Sequence, residues 1–61
     1  MSLTREIYAD ELPNGYRLTA YIKRDGELHF DHVYEGDNFE SLLEDFVIDN
    51  PEYKEIPVSW N

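Results

Sequence analysis

Sixty-one residues without a cysteine make a single domain, 1–61, near the lower size limit for folding without disulfides or a Cys/His-bound metal. Hydrophobic residues are 41% of the chain and aromatic residues 15%, enough for one small core, so disorder is disfavoured. Fourteen acidic against five basic residues give a formal charge of −9, which argues against direct binding to nucleic acid or anionic lipid, because phosphate affinity needs clustered Lys and Arg.

Three strand-like segments come first, over residues 3–12, 16–24 and 27–34, separated by "PNG" (13–15) and "DG" (25–26), both turn signals. A two-residue Asn14-Gly15 turn pairs Pro13 with Tyr16 and sets Ile7 against Ile22, Ala9 against Ala20, Tyr8 against Tyr21 and Glu6 against Lys23. For the second hairpin, a two-residue Asp25-Gly26 turn would set Ile22 against His29 and Ala20 against Asp31, a poor match. A three-residue loop, Arg24-Asp25-Gly26, instead sets Ile22 against Leu28, Ala20 against Phe30, Leu18 against His32 and Tyr16 against Tyr34. In that register the core face holds Ile7, Ala9, Tyr16, Leu18, Ala20, Ile22, Leu28, Phe30 and Tyr34, with His32 among them. The outer face holds Tyr8, Asp10, Leu12, Arg17, Thr19, Tyr21, His29, Asp31 and Val33, with several charged neighbours.

A helix is expected to start at Asp37 as N-cap, with Glu40 completing a capping box. Phe39, Leu42, Leu43, Phe46 and Val47 form one apolar stripe, suited to covering the core face. The helix ends near Asp49-Asn50, because Pro51 biases Asn50 away from helical geometry. Ile56, Val58 and Trp60 alternate in a short last strand that Pro57 confines to an edge. The fold class is α+β: a three-stranded antiparallel meander, one helix on one face, and a C-terminal strand, β-β-β-α-β in two layers. A crossover placing the last strand parallel to the first gives the order 3-2-1-4, favoured over a last strand beside the third.

Three strands before a helix, with "GDNFESLLE" (36–44) leading into it, resembles the small antitoxin domains of the HicB type at the start of their helix. The glycine-containing segment that precedes the helix there has no counterpart in this chain, and the chain is not assigned to that family.

No arrangement of residues points to catalysis. Ser2, Ser41 and Ser59 lack a neighbouring base, a two-layer domain of this size offers little concavity, and His32 on the core face is read as a packing residue. His29 and Asp31 with Asp10 two strands away could supply nitrogen and oxygen to a metal. Three ligands on a flat solvated sheet leave the geometry unenforced, so no metal or cofactor is expected. "RDG" (24–26) lacks the further acids of a calcium loop. No run approaches ~18 apolar residues and no signal peptide pattern opens the chain, so a cytoplasmic, non-membrane protein is the expectation.

Two surfaces carry the functional reading. The charge is uneven: residues 1–34 hold six acids and four bases (−2), and residues 35–61 hold eight acids and only Lys54 (−7). On a helical wheel Asp37, Glu40, Ser41, Glu44, Asp45 and Asp49 oppose the core stripe, with Ile48 among them. Glu40 and Glu44 lie ~6 Å apart along the axis, near the phosphate spacing of a nucleic-acid strand. Like charges at i,i+4 cost a helix some stability. The first reading is therefore a small acidic interaction protein that docks on or inhibits a basic, nucleic-acid-binding protein, in the extreme case as a nucleic-acid mimic. The alternative is a homo-oligomerising or adaptor module that uses Tyr8, Tyr21, His29, Leu12 and Val33 on the free sheet face, with charge serving only solubility. A homodimer through that face would also relieve the small-core problem.

Overall fold

In the computed structural model, which describes residues 2–61, β1 (Leu3–Leu12), β2 (Gly15–Arg24) and β3 (Glu27–Gly36) form an antiparallel meander. A helix, α1 (Phe39–Asp49), a 3-10 turn (Pro51–Tyr53) and a short strand, β4 (Val58–Trp60), follow. β4 runs parallel to β1, so the sheet order is β3-β2-β1-β4. This is the two-layer α+β arrangement and the strand order expected from the sequence. β3, β1 and β4 all run the same way, and a parallel return needs a crossover; α1 is that crossover.

Both hairpins close on two residues, and neither in the expected register. In the first, Pro13 and Asn14 form the turn and Leu12 pairs with Gly15. The fixed φ of proline suits the first central position of a turn, so the turn forms one residue earlier than an Asn-Gly turn would. Gly15 has φ +155°, and a Cβ there would lie 2.4 Å from the Gly36 carbonyl oxygen; the close approach of β3 requires glycine. Ile7 now opposes Ala20, Ala9 opposes Leu18, Tyr8 opposes Thr19 and Glu6 opposes Tyr21. Each partner has moved two residues along β2, so every side chain keeps its face.

In the second hairpin Asp25 (φ +52°) and Gly26 (φ +85°) are both left-handed, as a type I′ turn demands. Arg24 pairs with Glu27 and Ile22 with His29. The extra residue expected in the turn sits inside β3 instead. The register shifts between the pairs Tyr21–Phe30 and Ala20–His32, leaving Asp31 as a bulge. Ala20 thereby avoids Asp31 and meets His32, while Leu18 meets Tyr34. Residues 27–30 are reversed relative to expectation. Leu28 and Phe30, expected in the core, lie on the outer face and are 48% and 64% exposed. His29, expected on the outer face, shares the helix side with its partner Ile22.

The core is Ile7, Ala9, Leu18 and Ala20 from the sheet, Leu42 and Phe46 from α1, and Tyr53 from the 3-10 turn. Phe39, Leu43 and Val47 flank it half-buried, so the expected stripe does face the sheet. The helix cap falls one residue later than expected. Asn38, not Asp37, is the N-cap, its Oδ1 accepting the Ser41 N–H at 3.0 Å, so the Asp37–Glu40 capping box does not form. At the other end Asn50 is buried and hydrogen-bonded. Its backbone N–H and Nδ2 both donate to the Phe46 carbonyl, at 2.9 and 3.0 Å, and Nδ2 also donates to the Tyr34 hydroxyl at 3.1 Å. Pro51 follows and ends the helix as expected. Tyr53 packs its ring 5.1 Å from that of Phe46 and lies under the Arg5 guanidinium at 5.8 Å. Its hydroxyl donates to Asp31 Oδ2 at 2.6 Å, so the bulge residue is held by the far end of the chain.

Candidate interaction surfaces

The outer sheet face carries a row of three rings. Tyr8 and Tyr21 meet edge to face at 5.6 Å, and Tyr21 meets Phe30 the same way at 6.4 Å. Edge-to-face contacts at these spacings are favourable, and they hold the row in place without covering it. Phe30 occupies the position expected for His29, because the bulge reverses this part of β3. Leu12 and Val33 lie on the same face as expected, Leu12 half-buried and Val33 48% exposed. Beside the row is a shallow hollow of about 250 Å³ between Tyr8, Thr19, Tyr21 and Leu28, rimmed by Asp10 and Asn61.

Charge on this face is nearly balanced. By strand alternation it holds Glu6, Asp10 and Glu35 against Arg17 and Lys23, three acids to two bases. Arg17 Nε donates to Glu35 Oε2 at 2.9 Å. The Tyr8 hydroxyl donates to Glu6; that bond, and secondarily burial, raise the Tyr8 hydroxyl above its ordinary value.

The second surface is the outward side of α1. Glu40, Ser41, Glu44, Asp45 and Asp49 are exposed there, with Asp37 just before the helix. Ile48 stands among them, 67% exposed. Among the described residues the ion pair made by Lys or Arg is Arg17–Glu35, and none of the helix acids is in such a pair there. Asp49 accepts the Tyr34 hydroxyl at 3.3 Å, which ties the last turn of α1 to β3.

The structure separates the residues considered for a metal. Asp10 is on the outer face, while His29 and Asp31 lie on the helix side, Asp31 fastened to Tyr53. No group of three His, Cys, Asp or Glu that could hold an ion exists among the described residues. His32 packs at 6.3 Å from Phe46 and 6.4 Å from Tyr53, with Nε2 3.5 Å from Asp31 Oδ2, consistent with a packing role. Burial, and then the bond to Asp31, raise the Tyr53 hydroxyl well above its ordinary value, so it keeps its proton. The larger surface hollow, about 570 Å³ around the Pro13–Asn14 turn, is lined by Leu12, Arg17, Glu35 and Asp37 among others and contains no histidine or serine. Among the described residues no helix is long and apolar enough to cross a membrane.

Comparison with protein-family models, with curated proteins and with solved structures gives no match to this chain. Phe30 and Leu28 are the surface residues that the sequence reading missed. A signal was present: the tight Asp25-Gly26 turn, followed through β3, puts both on the outer face.

Proposed function

We propose that this chain is a small, non-enzymatic, cytoplasmic interaction module that binds protein through the outer face of its sheet. The observation that carries the reading is Phe30, 64% exposed at the end of the Tyr8–Tyr21–Phe30 row. A sheet covered on one side normally keeps its free side polar. Aromatic side chains flanked by Leu28 and Val33 are instead the composition of a contact surface, where a few buried rings carry most of the binding energy.

A second reading has its own support, the exposed Ile48 among helix acids that pair with no Lys or Arg of the described residues. In it, a basic, nucleic-acid-binding protein docks on Asp37, Glu40, Glu44, Asp45, Ile48 and Asp49, with the acids standing in for phosphates. The two readings separate in one experiment. Tagged wild type, Tyr21→Lys and Glu40→Lys/Glu44→Lys are used to capture proteins from nuclease-treated lysate, with low-salt and high-salt washes. Loss of capture in Tyr21→Lys, at either salt, supports the sheet face. Loss in the helix double variant, together with release of the wild-type partner by salt, replaces it with the acidic docking face.

A further inference from the structure

We infer that the partner of the outer face is a second copy of this chain, the two sheets pairing face to face about a two-fold axis; this rests on the reading of that face as a contact surface. Three observations point to self-pairing rather than to an unrelated occupant.

The face is self-complementary in shape. It carries a projecting ring, Phe30, and a hollow between Tyr8, Thr19, Tyr21 and Leu28, side by side. A two-fold axis passing between them sets each Phe30 into the hollow of the other copy, the reciprocal contact of an isologous interface.

The charge is arranged to permit it. The outer face holds three acids and two bases, a net −1 of the −9 of the chain, so −8 lies elsewhere, most of it on the helix layer and the segments flanking it. Two copies meeting by their helices would bring like charge together. Face-to-face sheets put the two acidic layers on opposite outer sides, as far apart as the fold allows.

The area permits it. The two longer extents of the molecule, 39 and 21 Å, bound the footprint of the sheet at about 800 Å², the share that each partner contributes to an interface of standard size. Pairing by strand edges is the less favourable route, because the bulge at Asp31 interrupts the ladder along the free edge of β3. The resulting dimer displays an acidic helix on each outer surface.

Sedimentation equilibrium of the full chain across the micromolar to millimolar range, at low and high salt, tests this directly. The expected result is twice the 7.3 kDa chain mass, with association equal or tighter at high salt, because screening removes the repulsion between two acidic copies. Phe30→Glu and Leu28→Lys are each expected to sediment at monomer mass while keeping the circular dichroism of the wild type, since neither residue belongs to the core. Isotope-filtered NMR of the wild type supplies a readout that needs no variant: contacts between Phe30 of one copy and Tyr21 or Thr19 of the other. A wild type that stays monomeric at millimolar concentration in high salt overturns self-pairing. The capture experiment with Tyr21→Lys then still decides whether the face binds another protein. A dimer that survives both substitutions, or lacks those contacts, overturns the choice of face.

Discussion

The two faces of the sheet carry similar side chains and meet different fates. On the helix side, Tyr16 and Tyr34 come from the sheet, and Phe39, Phe46 and Tyr53 close over it, with ring spacings of 5.6 Å for Tyr16–Phe39 and 5.0 Å for Tyr34–Phe46. On the outer side, Tyr8, Tyr21 and Phe30 make the same kind of edge-to-face contacts, and no layer of the described residues covers them. Aromatic content alone therefore does not mark the core; a covering layer does. The described residues form one α-helix, and its apolar stripe serves one face only. The other face retains unburied apolar area that a partner can still bury.

Substitutions on either side should expose the asymmetry. Phe46→Ala removes a fully buried ring and should cost about 3–5 kcal/mol. In a domain this small that loss abolishes cooperative urea unfolding followed by circular dichroism. A clean transition near the wild-type midpoint would show that the two faces are energetically alike. Tyr53→Phe should cost about 1–2 kcal/mol, because the Asp31 carboxylate loses its short bond from a buried hydroxyl. This variant also carries a pH signature. Folding raises the Tyr53 hydroxyl above the ordinary value near 10, so the fold favours the protonated form. Its contribution is fully present below that value and is lost as pH rises above it. Wild type should therefore lose stability above about pH 10 more steeply than Tyr53→Phe, as read from thermal midpoints at stepped pH. Asn38→Ala, which removes the cap of the covering helix, should cost about 1 kcal/mol, measured as a lower urea midpoint with unchanged slope. The smallest effect belongs to the outer face: Phe30→Ala should shift the stability of the dilute monomer by no more than about 0.5 kcal/mol. A larger loss in dilute solution would mean that the Tyr21–Phe30 contact stabilises the monomer itself.

Local chemistry made much of this readable. The stripe from Phe39 to Val47, the stop at Pro51 and the alternation before Trp60 each declare an element, and the crossover rule orders the strands. The turns were less legible because Pro13-Asn14 and Asn14-Gly15 are both good turn dipeptides. Beside the fixed φ of Pro13, the approach of the Gly36 carbonyl to Gly15, twenty-one residues away, bears on the choice. The faces of β3 failed for a related reason. Leu28, Phe30, His32 and Tyr34 alternate without a break, so period-two reasoning puts all four on one side. Yet α1 has eleven residues and is only about 16 Å long, whereas a ten-residue strand runs about 33 Å. The helix cannot cover the whole strand, so the end near the Asp25-Gly26 turn is exposed on both faces. On the outer side Phe30 meets the Tyr21 ring. Of the residues expected on the outer face, Tyr8, Tyr21, Leu12 and Val33 are there, and His29 and Asp31 are not. The exposure of the helix acids followed directly from the wheel. Tyr53 gave no warning, since one aromatic residue after a proline has no period to reveal it.

The bond between Tyr53 and Asp31 reaches further than its energy suggests. β3 consists of two half-strands in different reading frames, joined at Asp31, and the latch that holds the junction comes from a residue made twenty-two positions later. A nascent chain that ends before Tyr53 lacks that bond. The Asp25-Gly26 turn puts Leu28 and Phe30 outside, and the last contact to fasten the junction behind them comes from a segment on the opposite side of the sheet.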